Sequence, residues 1–115
     1  MNIKIVGDIR NGNFQPSLTG NLAVDDALID NFSQKLRAKV AGTFHDVRVS
    51  VDHFLNLEHQ SDSNSIIVID NDISKYLDAD TKKMHTMIDV NHTDILHGTV
   101  DSIAKKITDR LDMNK

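Results

Sequence analysis

The feature that most constrains the fold is a pair of segments with helical apolar spacing, one on each side of a β-rich middle. The first covers residues 21–41 and the second residues 99–113. In each, apolar residues recur every three or four positions, which places them on one face of a helix. The first stripe is Leu28, Ile29, Phe32, Leu36 and Val40, and the second is Val100, Ile103, Ala104, Ile107 and Leu111. The spacing therefore predicts two amphipathic helices that must cover an apolar surface.

The first of these helices has its own start and stop signals. Asn21 can cap its amino end, and Asp25 and Asp26 lie in the first turns, where the helix dipole favours negative charge. Gly42 follows the last apolar position and favours termination there.

Two β-rich runs between the helices predict the sheet. Residues 46–52 alternate between apolar and polar, which indicates a half-buried strand. Residues 65–70 are almost continuously apolar, which indicates an interior strand. Residues 83–90 form a weaker strand candidate, and the connection 73–82 before them is long enough to hold a helical turn.

A further short β-rich run, residues 3–6, precedes the hairpin signal Asn11-Gly12. Residues 14–19 would then return as a strand, and Pro16 would restrict it to the edge of a sheet. We therefore expect a single domain, 1–115, with residues 1–13 as an N-terminal extension or hairpin strand that can add to the core of residues 14–113.

Composition narrows the class of protein. The chain has no cysteine, so disulfide frameworks, thiolate metal sites and thiol catalysis are excluded. No apolar run approaches the roughly 20 residues that a membrane helix needs, and no signal peptide is recognisable, so the cytoplasm is the expected location. A formal charge of −4 is not the basic excess of a nucleic-acid binder, so any such function must depend on a local patch.

Catalytic motifs are not evident in the sequence. No glycine-rich phosphate loop and no G-x-S-x-G elbow is present, and none of the six histidines forms a tight helical pair for a metal. Aspartates do follow the predicted strands, namely Asp8, Asp52, Asp70, Asp72 and Asp89. In a parallel sheet they would share one edge and could bind magnesium, whereas an antiparallel sheet would divide them between opposite edges. Both arrangements stay open at this point.

Basic residues concentrate near the ends of both helices. They are Lys35, Arg37 and Lys39 on the first helix, and Lys105, Lys106 and Arg110 on the second. Cations near a helix carboxyl end are also ordinary partners of the helix dipole, so these segments do not by themselves identify a binding surface.

Several segments in order resemble the ribosome hibernation-promoting factor family, which includes the ribosome-associated inhibitor and the sigma modulation proteins. Residues 18–21 (L-T-G-N) resemble that family's I-T-G-N, and residues 27–36 (A-L-I-D-N-F-S-Q-K-L) resemble A-L-R-E-x-V-x-x-K-L. Residues 44–51 resemble the entry to its second strand, and His85 lies where its fourth strand often has histidine. Residues 94–111 resemble D-M-Y-x-A-I-D-x-x-x-D-K-L-x-R-Q-L with one inserted residue.

The resemblance implies an α+β fold of order β-α-β-β-β-α, with a four-stranded mixed sheet and both helices packed on one face. It implies a non-enzymatic protein that binds ribosomal RNA in the channel of the small ribosomal subunit and represses translation during stress or stationary phase. No cofactor, metal or small-molecule substrate is implied. Lys35 and Lys106 match recurrent family lysines, and Arg37, Lys39, Lys105 and Arg110 join them by helix position.

Two other hypotheses remain. The same fold could act as a protein-interaction domain without ribosome binding, which carboxylates interspersed among the cations would favour. Alternatively, a parallel sheet with aspartates along one edge would favour a metal-dependent α/β enzyme.

Overall fold

A four-stranded sheet covered by helices forms the framework of the computed structural model, which describes residues 2–9, 17–43, 47–53, 65–77, 79 and 86–113. The predicted class of fold, a sheet with helices packed against it, is confirmed. The elements are β1 (Asn2–Val6), α1 (Leu22–Ala41), β2 (Arg48–Val51), β3 (Ser65–Asp70), α2 (Asn71–Ser74), β4 (Met87–Val90), α3 (His92–His97) and α4 (Asp101–Met113).

The strand order is β2-β1-β3-β4, and each of the three neighbouring pairs is parallel. Ile3 lies opposite Val49 on one side and Ile66 on the other, and Val68 lies opposite Ile88. The mixed sheet expected from the sequence is therefore wrong in this detail. Between β1 and β2, the chain returns through α1, and a long crossover of this kind joins parallel rather than antiparallel strands.

The amino-terminal run of the chain is central to the sheet rather than an addition to its side. β1 is bonded on both sides, and Ile3, Ile5 and Val6 are fully buried. Residues 17–19, expected to end an edge strand, are not in a strand. The expected turn at Asn11-Gly12, the rest of that strand from residue 14 to Pro16, and His85 lie outside the described residues.

The main core lies on one face of the sheet, beneath α1, α3 and α4. The buried helical residues are Ile29, Phe32, Leu36, Val40, Ile95, Ile103, Ala104 and Ile107. They pack against alternate residues of the strands, namely Ile3, Ile5, Val49, Ile66, Val68, Ile88 and Val90. The prediction that both amphipathic helices cover one sheet face is confirmed.

A smaller cluster lies on the opposite face, where Val6 and Ile69 pack against Ile9 and Ile73. Ile73 belongs to α2, so the helical turn expected between the last two strands is present and begins at Asn71. Within the described residues, no helix combines the length and the apolar character that a membrane crossing requires.

The start of α1 is fixed by two side chains. The Asn21 carboxamide oxygen accepts the N–H groups of Ala23 and Val24, as its capping role predicts. Asp25 is buried and accepts the backbone N–H groups of Leu18 and Thr19. These bonds tie the segment before α1 to its first turn and hold that turn in place near the end of β1.

Candidate site at the carboxyl edge of the sheet

The parallel arrangement gathers the carboxyl ends of all four strands at one edge. Asp8 follows β1, His53 follows β2, Asp70 ends β3 and His92 follows β4. In the strand order β2-β1-β3-β4, β2 lies beyond β1 at one end of the sheet and β4 lies beyond β3 at the other. The connections from β1 and from β3 therefore run in opposite directions, away from the point between these two strands. In open parallel sheets, ligands bind outside the carboxyl ends of the strands near such a point.

Asp70 and His92 form a closely held pair at this edge. Asp70 is 1% exposed, and one of its oxygens accepts a hydrogen bond from His92 Nδ1 at 2.6 Å. The other oxygen accepts the backbone N–H of Asp72 at 2.8 Å, which caps α2. Burial raises the pKa of Asp70 above its ordinary value, and the hydrogen bonds from Asp72 and His92 oppose that shift.

A third group completes a cluster around this pair. Asp72 Oδ2 lies 3.6 Å from His92 Nδ1, and the Asp72 side chain is 57% exposed. One ligand atom each from Asp70, Asp72 and His92 can be chosen so that all three lie within 4.8 Å of one another. A mixed set of carboxylate and imidazole ligands suits a divalent transition metal, with zinc and manganese the obvious candidates. The residues present therefore fit a metal and leave one side open to solvent.

A second aspartate–histidine pair lies on the β1–β2 side of the edge. Asp8 is 1% exposed, and its Oδ1 accepts from His53 Nδ1 at 2.5 Å. On the other side of the ring, His53 Nε2 lies 3.7 Å from Asp26 Oδ1. Asp26 belongs to α1, so this pair lies between the first turns of that helix and the end of β2.

Gly7 allows α1 to approach β1 closely at this point. A Cβ atom on Gly7 would lie 2.9 Å from two side-chain carbons of Ile29, a distance that real Cβ atoms almost never show. Only a residue without a side chain lets Ile29 pack directly on the strand end.

The two pairs are built on a repeated sequence pattern. Residues 5–8 (I-V-G-D) match residues 67–70 (I-V-I-D), and residues 49–53 (V-S-V-D-H) match residues 88–92 (I-D-V-N-H). The first half of each pattern supplies the buried aspartate from an inner strand, and the second half supplies the histidine after an outer strand. Sequence reasoning named Asp8 and Asp70 but missed His53 and His92, because it compared histidines only with each other. The repeated pattern is the signal that could have found them.

Not all the predicted aspartates reach this edge cluster. Asp52 lies beside His53, but Asp89 is within β4 and borders a different groove, with Lys106, Asp109 and Arg110. The five aspartates that could have shared a magnesium site in a parallel sheet are therefore not all brought together.

The six basic residues predicted to bind RNA are distributed over several surfaces of the described structure. Lys39 forms an ion pair with Asp101 at 3.1 Å. Both residues line a groove that Lys105 also borders. Lys106 and Arg110 lie beside Asp89 and Asp109.

The other two predicted cations, Arg37 and Lys35, contact residues of neighbouring elements. Arg37 donates to the backbone carbonyl of Val49 at 2.9 Å, beside β2. Lys35 lies against Gly98, immediately after α3. Carboxylates therefore lie beside four of the six cations, Asp101 near Lys39 and Lys105, and Asp89 and Asp109 near Lys106 and Arg110.

Comparison with known proteins adds no assignment. No family model matches this sequence, and no curated protein and no solved structure matches it.

Proposed function

We propose that this chain is a metal-dependent hydrolytic domain whose working centre is the cluster of Asp70, Asp72 and His92. The observation that supports it is the convergence of two carboxylates and one imidazole within 4.8 Å at the carboxyl edge of a parallel sheet. This differs from the non-enzymatic role expected from the sequence, which rested on the absence of a recognisable catalytic motif and on the family resemblance.

The chemistry follows from the ligand set. A divalent metal held by three protein groups, when bound, lowers the pKa of a coordinated water and so supplies a nucleophile near neutral pH. Asp70 is held by its own hydrogen bonds and by burial, which gives the cluster one rigid ligand. The more exposed Asp72 can adjust. His92 could bind through either ring nitrogen, and the hydrogen bond between Nδ1 and Asp70 holds the ring in place.

The charges around the cluster are mixed. Asp70 and Asp72 contribute carboxylates, Lys75 lies 3.9 Å from Asp72, and a bound divalent ion would add positive charge. The proposed reaction is hydrolysis of an ester or amide.

Thermal unfolding in the presence of metal tests the proposal. After dialysis against EDTA, we expect Zn²⁺ or Mn²⁺ at 100 times its dissociation constant to stabilise the chain by about 2.7 kcal/mol. Asp72→Asn removes an exposed ligand and should abolish the effect without harming the fold, whereas Asp109→Asn, an exposed change on α4, should retain it. Equal stabilisation of both variants would refute the assignment.

Binding to the small ribosomal subunit is a second candidate, favoured by the packing of α1 and α4 on one sheet face. In this case the basic helix residues neutralise RNA phosphates in the cytoplasm, and the logarithm of affinity falls by about 0.7–0.9 per contact for each tenfold rise in salt. Reversing the charge of Lys105, Lys106 and Arg110 together should abolish co-sedimentation with subunits. Unchanged co-sedimentation of the triple variant would eliminate this candidate.

A protein-interaction role gains support if both preceding tests fail. The pairing of Lys39 with Asp101 places a carboxylate among the predicted RNA-binding cations, which is the arrangement that this alternative predicts.

A further inference from the structure

The two outer strands of the described sheet turn some of their backbone groups toward a side where no described strand lies. β2 and β4 occupy the two ends of the order β2-β1-β3-β4. In a parallel pair, alternate residues of a strand bond to the neighbour, and the residues between them point their backbone groups the other way. Such an outer edge is a template on which another chain can add a strand, and natural sheets usually protect it.

On the β2 edge, an arginine of α1 covers an outward carbonyl. Asp52 N–H donates to Ile5 C=O at 2.9 Å, so Val49, an odd number of residues earlier, points its backbone groups away from β1. Arg37 Nη2 donates to the Val49 carbonyl at 2.9 Å, in a partly buried position. The guanidinium group therefore lies where the N–H of an added strand would bind.

On the β4 edge, a lysine of α4 covers the equivalent group. Ile67 N–H donates to Thr86 C=O at 2.8 Å, so Asp89, an odd number of residues later, points its backbone groups away from β3. Lys106 Nζ donates to the Asp89 carbonyl at 3.2 Å, in an exposed position. Arg110 borders the same groove and adds a second cation beside this strand.

We propose that Arg37 and Lys106 prevent a second copy of the chain from adding a strand to β2 or β4. Both side chains extend from helices on the same face of the sheet, and each places a donor on an outward carbonyl. An added strand would have to displace the cation from its acceptor or bury its charge, and both changes cost free energy. This role differs from RNA binding, for which the sequence selected the same two residues, and it does not depend on the metal cluster.

The mass of the complete chain, measured by light scattering over a range of concentrations, tests the proposal. Arg37→Met combined with Lys106→Met removes both donors, and we expect this double variant to assemble at concentrations where the wild type does not. Lys39→Met combined with Lys105→Met is the matched control. It removes the same charge from the same two helices, but neither lysine donates to a strand carbonyl within the described residues.

Charge alone cannot explain the expected difference. Both double variants make the negative net charge of the chain larger, which by itself increases the repulsion between copies. Equal assembly of the two double variants would overturn the proposal. So would a folded Arg37→Met, Lys106→Met variant whose mass follows that of the wild type at every concentration.

Single variants test the two edges separately. One uncovered edge can pair only with the same edge of another copy, so each single variant should stop at pairs, whereas the double variant should form larger assemblies. Lys106→Met should fold with nearly the stability of the wild type, because its hydrogen bond is exposed. It therefore tests the β4 edge even if Arg37→Met unfolds, and Lys106→Arg, which keeps a donor, should behave as the wild type.

Hydrogen exchange identifies the surface through which the Lys106→Met variant pairs. The outward N–H of Asp89 should exchange more slowly in the assembled variant than in the wild type, because an added strand bonds to it. Assembly without slower exchange at Asp89, or no assembly of the folded Lys106→Met variant, would overturn the proposal.

Discussion

Replacing Asp70 separates the effect of its charge from the effect of its hydrogen bonds. Asn keeps the shape and can still accept the Asp72 N–H while its amide donates to His92, whereas Ala leaves both partners unsatisfied. Each lost hydrogen bond is worth about 1 kcal/mol, so Asp70→Ala should cost about 2 kcal/mol. In a domain of this size that corresponds to a fall in Tm of roughly 8 °C.

The stability of the Asp70→Asn variant relative to the wild type should depend on pH. Burial raises the pKa of Asp70 in the folded state from 3.8, so the folded chain binds this proton more tightly than the unfolded chain does. The stabilising contribution of this group is full below 3.8 and is lost as the pH rises through the raised folded value. Asp70→Asn cannot ionise, so without metal its stability should gain on the wild type as the solution moves from acid to neutral pH.

Urea unfolding of the wild type and both variants at a series of pH values in EDTA measures these differences. Asp109→Asn is the matched control, because it removes an exposed carboxylate that borders a different groove. If Asp70→Asn loses as much stability as Asp70→Ala at neutral pH, or if its difference from the wild type does not change with pH, the reasoning about the buried carboxylate is refuted.

Three backbone-related predictions can be checked by the same unfolding assay. Gly7→Ala should cost about 1–3 kcal/mol, because its Cβ would overlap Ile29, and a second change, Ile29→Val, should recover part of the loss. Asn21→Ala should cost about 1 kcal/mol through loss of the α1 cap. Gly98→Ala should cost at least about 1–2 kcal/mol because φ is +67° there, whereas Gly42→Ala, at φ −73° with no close neighbour, should be nearly neutral. Equal losses of stability at Gly98 and Gly42 would contradict the argument from the positive φ angle.

The helices and most of the strands could be predicted because the spacing of their apolar residues indicates which side is buried. Phe32 and Ile107 are fully buried at the positions that helical spacing indicates. The direction of strand pairing was not predictable in this way, because alternation along a strand is the same for parallel and antiparallel neighbours. The family resemblance implied a mixed sheet and led us to expect residues 3–6 outside the core of the sheet. In the structure, Ile3 and Ile5 lie in the central strand β1, between β2 and β3.

The candidate site was only half predictable for a related reason. Asp8 and Asp70 could be recognised as residues that follow strands, since strand ends are visible in the sequence. Their histidine partners lie far along the chain and come near only through strand order, so spacing between histidines contained no information about them. The repeated I-V-x-D and V/I-x-V-D/N-H patterns contain that information, and they become readable once the strands are known to be parallel.

The central position of β1 has a consequence for synthesis of the chain. Ile3 and Ile5 precede every other described element, yet their neighbours in the sheet, Val49 and Ile66, are made much later. Pairings between such distant segments form slowly, and an apolar strand that waits for its partners is exposed to aggregation. The growing chain should therefore depend on α1 shielding β1, or on chaperones, until β3 has left the exit tunnel.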